Sequence, residues 1–337
     1  MRRFVPCSFS VAMKRKLFGK RAFERHPLLL SLLLLLLLGF LAAGAGQAAQ
    51  ITEYRVIRQP VSDALGRPLV AIRSFNSDGV AHLLVVDPVN LISSDLPASQ
   101  IKFSGASADA ALGSTRFMKA LDRYSSPPYR LQNGGATRAE AAVDGVFLTV
   151  DLCPSKRRFE RELFEAAGAL GKGAATPVAV AVSGVWLASH PDELSYLKAE
   201  SEVGRLAITW VNHSYHHVYH PKMPLRQNFL LTPGTDFLSE VLDLERQLLA
   251  LGLVPSPFFR FPGLVSDQAT VMRLRELSLI PIGSDAWLAK GESPRKGSFI
   301  LVHGNGNEPK GVRLLLPMLG NNQLHLLALP AAFGNRP

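Results

Sequence analysis

Residues 146–154 read Val146-Phe147-Leu148-Thr149-Val150-Asp151-Leu152-Cys153-Pro154, a short apolar run with a carboxylate at its end. A second apolar run is followed by His213-Ser214-Tyr215-His216-His217. Two imidazoles four residues apart on a helix lie on one face, where both can coordinate one divalent ion. A carboxylate at a strand end can complete such a site or act as a base. Together the two stretches favour a metal-assisted hydrolase.

The chain around Asp151 alternates between predicted strands and predicted helices. Near-continuous apolar strands with helical neighbours are typical of a parallel sheet covered by helices, either a barrel or an open doubly wound sheet. In such folds the strand ends carry the site. The predicted strands are residues 146–150, 177–182, 205–211 and 298–302, and the predicted helices are residues 156–170, 191–201, 234–251, 267–277 and 310–319.

Further polar motifs follow Asp151 and the histidine pair in a fixed order. They are Arg260-Phe261-Pro262, then Asp285 close to Trp287, and finally Leu301-Val302-His303. In this order the motifs resemble the five motifs of the polysaccharide deacetylases of carbohydrate esterase family four, the NodB-homology domain. The resemblance covers residues 144–332. It implies an α/β fold, a distorted (β/α) barrel of the polysaccharide deacetylase type.

The resemblance also implies a reaction and a metal. Members of that family bind a divalent ion and remove the acetyl group from an N-acetylated sugar, or sometimes an O-acetyl group. We therefore expect an N-acetylated polysaccharide or oligosaccharide as substrate. Zinc is the favoured ion, with cobalt and nickel as alternatives, because all three accept imidazole ligands.

The same resemblance assigns roles to individual residues. Asp151 matches the catalytic base, and His213 and His217 match the two metal-ligating histidines. His303 matches the general acid. The remaining matches are Arg260, which would orient Asp151, Asp285, which would pair with Arg260, and Trp287 and Pro262, which would line the substrate pocket.

Leu152 departs from the family pattern, because it stands where a second aspartate would ligate the metal. Two neutral imidazoles alone usually hold a metal weakly. Cys153 or Asp151 could supply the missing ligand, although a buried apolar thiol is the more common role for such a cysteine. The alternative function is therefore a weakly active or inactive carbohydrate-binding protein of the same fold. A third ligand near His213 and His217 would favour catalysis.

The N-terminal residues 1–48 have the order of an export signal. Eight basic residues within residues 1–26 precede an apolar run at residues 28–43, which leads into small residues. This order is typical of a cleaved signal, and the run is short for a bilayer crossing, which needs about 20 residues. Retention as a membrane anchor is the alternative. Either way we expect a periplasmic or extracellular location.

The net charge restricts the classes of binding partner, and the cysteine content restricts the possible disulfides. The chain carries 37 basic and 27 acidic residues, a net charge of +10. Without residues 1–26 it has 29 basic and 26 acidic residues, a net charge of +3. Nucleic-acid binding is therefore not expected. Of the two cysteines, only Cys153 follows the signal, so the exported part cannot form an internal disulfide.

Residues 49–143 are predicted to form a small β-rich unit and a linker. Two apolar stretches, residues 68–72 and 81–86, flank the turn-prone Asn76-Ser77-Asp78-Gly79, which predicts a β-hairpin. A short helix is predicted at residues 116–124, and the glycine- and proline-rich residues 125–143 are interpreted as the linker. No recognisable catalytic motif occurs in this part of the chain.

Overall fold

Two β-sheets organise the described part of the chain, which in this computed structural model comprises residues 48–104, 112–321 and 323–334. The predicted export signal or anchor, apart from Ala48, lies outside the described residues. Within the described ranges, no helix has both the length and the apolar character needed to cross a membrane.

The N-terminal sheet is antiparallel and has five strands in the order β4-β3-β2-β1-β5. The predicted hairpin is confirmed, because β2 and β3 pair through a turn at Asp78 and Gly79, both with positive φ. Strand β1 was not predicted, since its charged residues interrupt the apolar alternation. The strands are β1 Ile51–Ser62, β2 Pro68–Ser77, β3 Val80–Val86, β4 Ser93–Pro97 and β5 Lys102–Phe103.

The second sheet has seven strands in the order β10-β9-β8-β7-β6-β12-β11, and every pairing in it is parallel. Its edge strands β10 and β11 do not pair, so the sheet is an incomplete barrel, which agrees with the expected distorted barrel. The strands are β6 Phe147–Leu152, β7 Thr176–Val182, β8 Leu206–Asn212, β9 Phe258–Phe259, β10 Ile280–Pro281, β11 Ala286–Trp287 and β12 Phe299–His303.

Helices follow most of these strands, as the alternating pattern predicts. Helix α3 was not predicted, and α2 begins later than expected because residues 154–160 form a loop. The helices are α1 Arg116–Tyr124, α2 Arg161–Gly168, α3 Gly184–Ser189, α4 Pro191–Glu202, α5 Phe237–Ala250, α6 Gln268–Glu276 and α7 Pro309–Gly320.

Part of the predicted linker packs along the open side of the seven-stranded sheet. Ala136 bridges to Ile282 beside β10, and Arg138 bridges to Ser298 beside β12. Gly135 has a φ of 81°, and a Cβ there would lie 2.3 Å from the carbonyl oxygen of Pro281. Only glycine fits this conformation at this approach. This part of the predicted linker is therefore ordered and closes the open side of the sheet.

The two sheets share one hydrophobic cluster. Apolar side chains of β2 and β3 belong to the same cluster as Phe147, Phe258 and Phe299 of the parallel sheet. A buried ion pair between Arg73 of β2 and Glu245 of α5 crosses the same region, with atoms 2.7 Å apart. The N-terminal sheet thus packs directly on the fold that carries the strand ends.

The register of the parallel sheet brings the sequence motifs to one edge. His303 at the end of β12 is paired with Asp151 of β6, and Leu152 is paired with Val182 of β7. Asn212 at the end of β8 is paired with Phe259, so His213 and Arg260 follow side by side. Residues far apart in sequence therefore meet at the carboxyl ends of the strands, where parallel folds place their sites.

Candidate functional site

His213 is oriented to present one free ring nitrogen. It is 1% exposed, and its Nδ1 lies 2.8 Å from the carbonyl oxygen of Arg260. Because a carbonyl only accepts hydrogen bonds, Nδ1 carries the proton and donates. The lone pair of Nε2 is then available, 3.5 Å from the Sγ atom of Cys153. Ring orientation by a backbone carbonyl is characteristic of metal-ligating histidines.

His217 reaches the same point from a loop and not from a helix. Residues 213–217 are irregular, and Ser214 and His217 have φ angles of 65° and 49°. This turn brings the two rings to a centroid distance of 4.8 Å. The Nε2 atom of His217 is buried and has no hydrogen-bond partner of normal geometry among the described residues. A buried polar atom of this kind is costly unless a ligand satisfies it.

Cys153, and not Leu152, faces the two histidines. Leu152 is fully buried in the hydrophobic cluster beneath the sheet, whereas Cys153 lies on the site side because successive residues of a strand point to opposite faces. The ligand atoms of Cys153, His213 and His217 lie within 4.8 Å of one another. Two imidazole nitrogens and one sulfur suit a tetrahedral divalent ion with one open position.

Several imidazoles surround the Cys153 thiol. Burial raises the pKa of this thiol, but the nearby His217, His303 and His213 lower it by more, so the pKa lies well below its ordinary value. The backbone at Cys153 is fixed by Asn305, whose Nδ2 donates to the Cys153 carbonyl oxygen at 2.7 Å. The neighbouring imidazoles therefore favour deprotonation of the Cys153 thiol, and the Asn305 contact fixes its backbone.

Asp151 is held by Arg260. The Nη1 atom of Arg260 donates to the Asp151 carboxylate at 2.8 Å and to Thr149 Oγ1 at 2.8 Å, and its Nη2 donates to the Gly283 carbonyl oxygen at 2.9 Å. Such a charge-assisted contact fixes one carboxylate oxygen. The other oxygen, Oδ2, lies 3.7 Å from His213 Nε2, beside the three converging ligand atoms.

Two expected contributions to the site are not where the resemblance placed them. Asp285 does not pair with Arg260. Its carboxylate lies 3.9 Å from both Arg138 and Arg295, and it accepts a hydrogen bond from the Phe299 amide. Pro262 is buried, while its neighbour Gly263 lines the cavity instead.

Glu308 is a site residue that the sequence analysis missed. It lies 2.9 Å from Nδ1 of His303, and it accepts a hydrogen bond from Nε1 of Trp287 at 2.7 Å. Burial lowers the pKa of His303, but Cys153, Glu308 and Asp151 outweigh this effect and hold the pKa well above its ordinary value. Glu308 lies between the His303 strand and α7, and this position could have identified it from the sequence as a neighbour of His303.

A cavity of about 640 Å³ opens above these groups. Trp287 forms part of its wall, and so does Tyr219, which is 57% exposed and stacks on Phe229. Asp151 and His213 are buried just behind Cys153. The lining residues are Gln132, Cys153, Pro154, Arg157, His217, Tyr219, Leu225, Phe229, Gly263, Trp287, His303, Asn307 and Glu308.

No protein family model matches the chain. Solved structures of similar fold do exist. The likeness is to family 4 carbohydrate esterases. The family 4 carbohydrate esterase from Bacillus anthracis is 17% identical, with a TM-score of 0.44, over 59% of this chain and 87% of that one.

Two other structures show the range of this likeness. The chitin deacetylase from Colletotrichum lindemuthianum is 16% identical, with a TM-score of 0.42, over 60% of this chain and 92% of that one. A family 4 pseudoenzyme from Bacillus anthracis is 13% identical, with a TM-score of 0.38, over 56% of this chain and 65% of that one. The likeness therefore includes proteins described as enzymes and one described as a pseudoenzyme.

Proposed function

We propose that this chain is an exported, metal-dependent deacetylase that hydrolyses N-acetyl or O-acetyl groups of a cell-envelope or extracellular polysaccharide. The observation that carries the proposal is the meeting of three groups at one cavity. These are the Cys153, His213 and His217 cluster, the Asp151 carboxylate held by Arg260, and the His303 imidazole held by Glu308. A metal binder, a base and an acid together are what amide hydrolysis requires.

The orphaned Nε2 of His217 and the free Nε2 of His213 fit a divalent ion, which Cys153, His213 and His217 would hold. When bound, the ion supplies a Lewis acid for the acetyl carbonyl and makes water a better nucleophile near neutral pH. Asp151 accepts the proton of the attacking water through Oδ2, since Arg260 occupies the Oδ1 side. Arg260 thus orients the base.

His303 donates a proton to the sugar nitrogen as the carbon–nitrogen bond breaks and acetate leaves. Burial lowers the pKa of His303, but Cys153, Glu308 and Asp151 raise it well above its ordinary value, which favours the protonated form that a general acid requires. Glu308 forms an ion pair with Nδ1 at 2.9 Å, which leaves Nε2 as the ring nitrogen to deliver the proton. Trp287, fixed by the same carboxylate, walls the acetyl group from bulk water.

The first experiment measures bound metal and acetate release together. We expect one divalent ion per chain and acetate release from N-acetylglucosamine oligomers, both lost after chelation or in His213→Ala. His220→Ala is the matched control, because His220 is exposed and lies outside the cavity lining. Oligosaccharide binding without metal or acetate release would instead establish the carbohydrate-binding alternative.

Glu308→Gln is expected to shift the pH dependence of kcat. The protonated form of His303 is the active acid, so activity falls as pH rises through its pKa. Glu308 stabilises the imidazolium and raises that pKa, so its neutral replacement moves the alkaline limb of the profile to lower pH. The measurement is kcat against pH for both proteins. An unchanged alkaline limb would remove Glu308 from this role.

A further inference from the structure

The positions of the side chains around His213 and His217 indicate which residue is the third protein ligand. Leu152 points into the hydrophobic core, and Cys153 points toward His213 and His217. Asp151 is the other candidate, since its Oδ2 is 3.7 Å from His213 Nε2. Arg260 holds that carboxylate at 2.8 Å, however, and a carboxylate bound to an arginine is a poorer metal ligand. The Cys153 sulfur is bordered by imidazoles and not by an arginine, and its distance to His213 Nε2 is 3.5 Å.

The distance between the Cys153 sulfur and the nearest ring nitrogen of His213 matches the distance between two ligand atoms on one zinc ion. Zinc binds imidazole nitrogen at about 2.0–2.1 Å and thiolate sulfur at about 2.3 Å, so a tetrahedral site places these two atoms about 3.5 Å apart. Cys153 Sγ and His213 Nε2 are 3.5 Å apart. A ring nitrogen of His217 lies within 4.8 Å of both, and its buried Nε2 has no hydrogen-bond partner of normal geometry among the described residues.

We propose that Cys153 ligates the ion as a thiolate, and that the site therefore selects a thiophilic ion such as zinc over magnesium or manganese. The inference rests on the proposed function only for the presence of a catalytic metal. Thiolate and imidazole donors favour zinc and cobalt, whereas magnesium and manganese prefer oxygen ligands. Binding converts the thiol to a thiolate and releases one proton to solvent.

The decisive measurement is the absorption spectrum of the full-length chain loaded with Co²⁺ alone. A thiolate ligand gives a sulfur-to-cobalt charge-transfer band in the near ultraviolet, which imidazole and carboxylate ligands do not give. We expect the band in the wild type and in Cys7→Ser, which removes the only other thiol. We expect the band to be lost in Cys153→Ser. We also expect the Zn²⁺ affinity to fall by more than about 100-fold, which exceeds the usual effect of removing a residue that only supports a metal ligand.

The Cys153→Asp variant distinguishes loss of the sulfur ligand from loss of the folded site. It offers oxygen in place of sulfur, so we expect Co²⁺ binding without the charge-transfer band and a smaller preference for Zn²⁺ over Mn²⁺. A wild-type Co²⁺ complex that lacks the band overturns the inference whatever the variants do. Activity that survives chelation and disappears on thiol alkylation would also overturn it, because Cys153 would then act as a nucleophile.

The two proposals fail in different ways. Bound metal and acetate release without a thiolate band would leave the deacetylase intact and remove Cys153 from the ligand set. A thiolate band without acetate release from acetylated oligosaccharides would keep the metal site and overturn the proposed reaction.

Discussion

His303→Gln is expected to lower kcat for acetate release by about 100- to 10,000-fold, the usual contribution of a positioned general acid. The imidazole lies in the cavity wall between Glu308 and the Cys153 cluster. Glutamine keeps the approximate size and polarity of the ring but cannot donate a proton with the same acidity. The KM is expected to change far less than kcat.

His216→Gln is the matched control for this variant. His216 lies three positions from His213, but its Nδ1 contacts Glu240 at 2.8 Å and its ring stays outside the cavity lining. We expect its kcat to remain within about a factor of two of the wild type, because it has no role in the reaction. Equal losses in the two variants, or full activity in His303→Gln, would contradict the acid assignment.

The sequence predicted the histidine pair but not the way in which the chain presents it. A spacing of four residues suggests a helical turn, and here positive φ angles at Ser214 and His217 make an irregular turn that brings the rings together. Such a turn depends on tertiary contacts such as the Arg260 carbonyl, which no local pattern encodes. The residue types identified the histidine pair, whereas the four-residue spacing did not predict the backbone conformation that presents it.

The first motif shows the same limit. Comparing it position by position with a family pattern identifies Leu152 as a lost ligand. Strand alternation places Leu152 in the core and Cys153 at the site, so the cavity faces a sulfur. The Asp285 carboxylate, expected beside Arg260, lies instead near Arg138 of the segment that closes the sheet. That contact joins residues far apart in sequence.

Strand periodicity predicted most of the fold. Strands β6, β7, β8 and β12 are nearly continuous apolar runs, because their side chains enter hydrophobic clusters on both faces of the sheet. Strand β1 was missed because its long polar side chains make specific contacts. One of them, Tyr54, donates a hydrogen bond at 2.9 Å to Glu245 of helix α5.

Glu245→Ala is expected to lower the free energy of unfolding by about 3–5 kcal/mol, the usual cost of breaking a buried ion pair from one side. Arg73 is 0% exposed, and both of its contacts with Glu245 are short, at 2.7 and 2.9 Å. The variant removes both contacts with Glu245 and leaves the guanidinium charged in the core beside the carbonyl oxygens of Ile72 and Leu277 and the Tyr54 side chain. Denaturant unfolding followed by circular dichroism measures the loss.

Asp243→Asn, on the same helix, is the matched control. Asp243 pairs with Arg246 at the surface, where an ion pair contributes about 0–1 kcal/mol, so we expect little change in stability. The double variant Arg73→Met, Glu245→Met removes both charges and is expected to be more stable than Glu245→Ala, because no charge is then left buried alone. If the double variant lost as much stability as the sum of two single variants, the cost would lie in packing between the sheets and not in the orphaned charge.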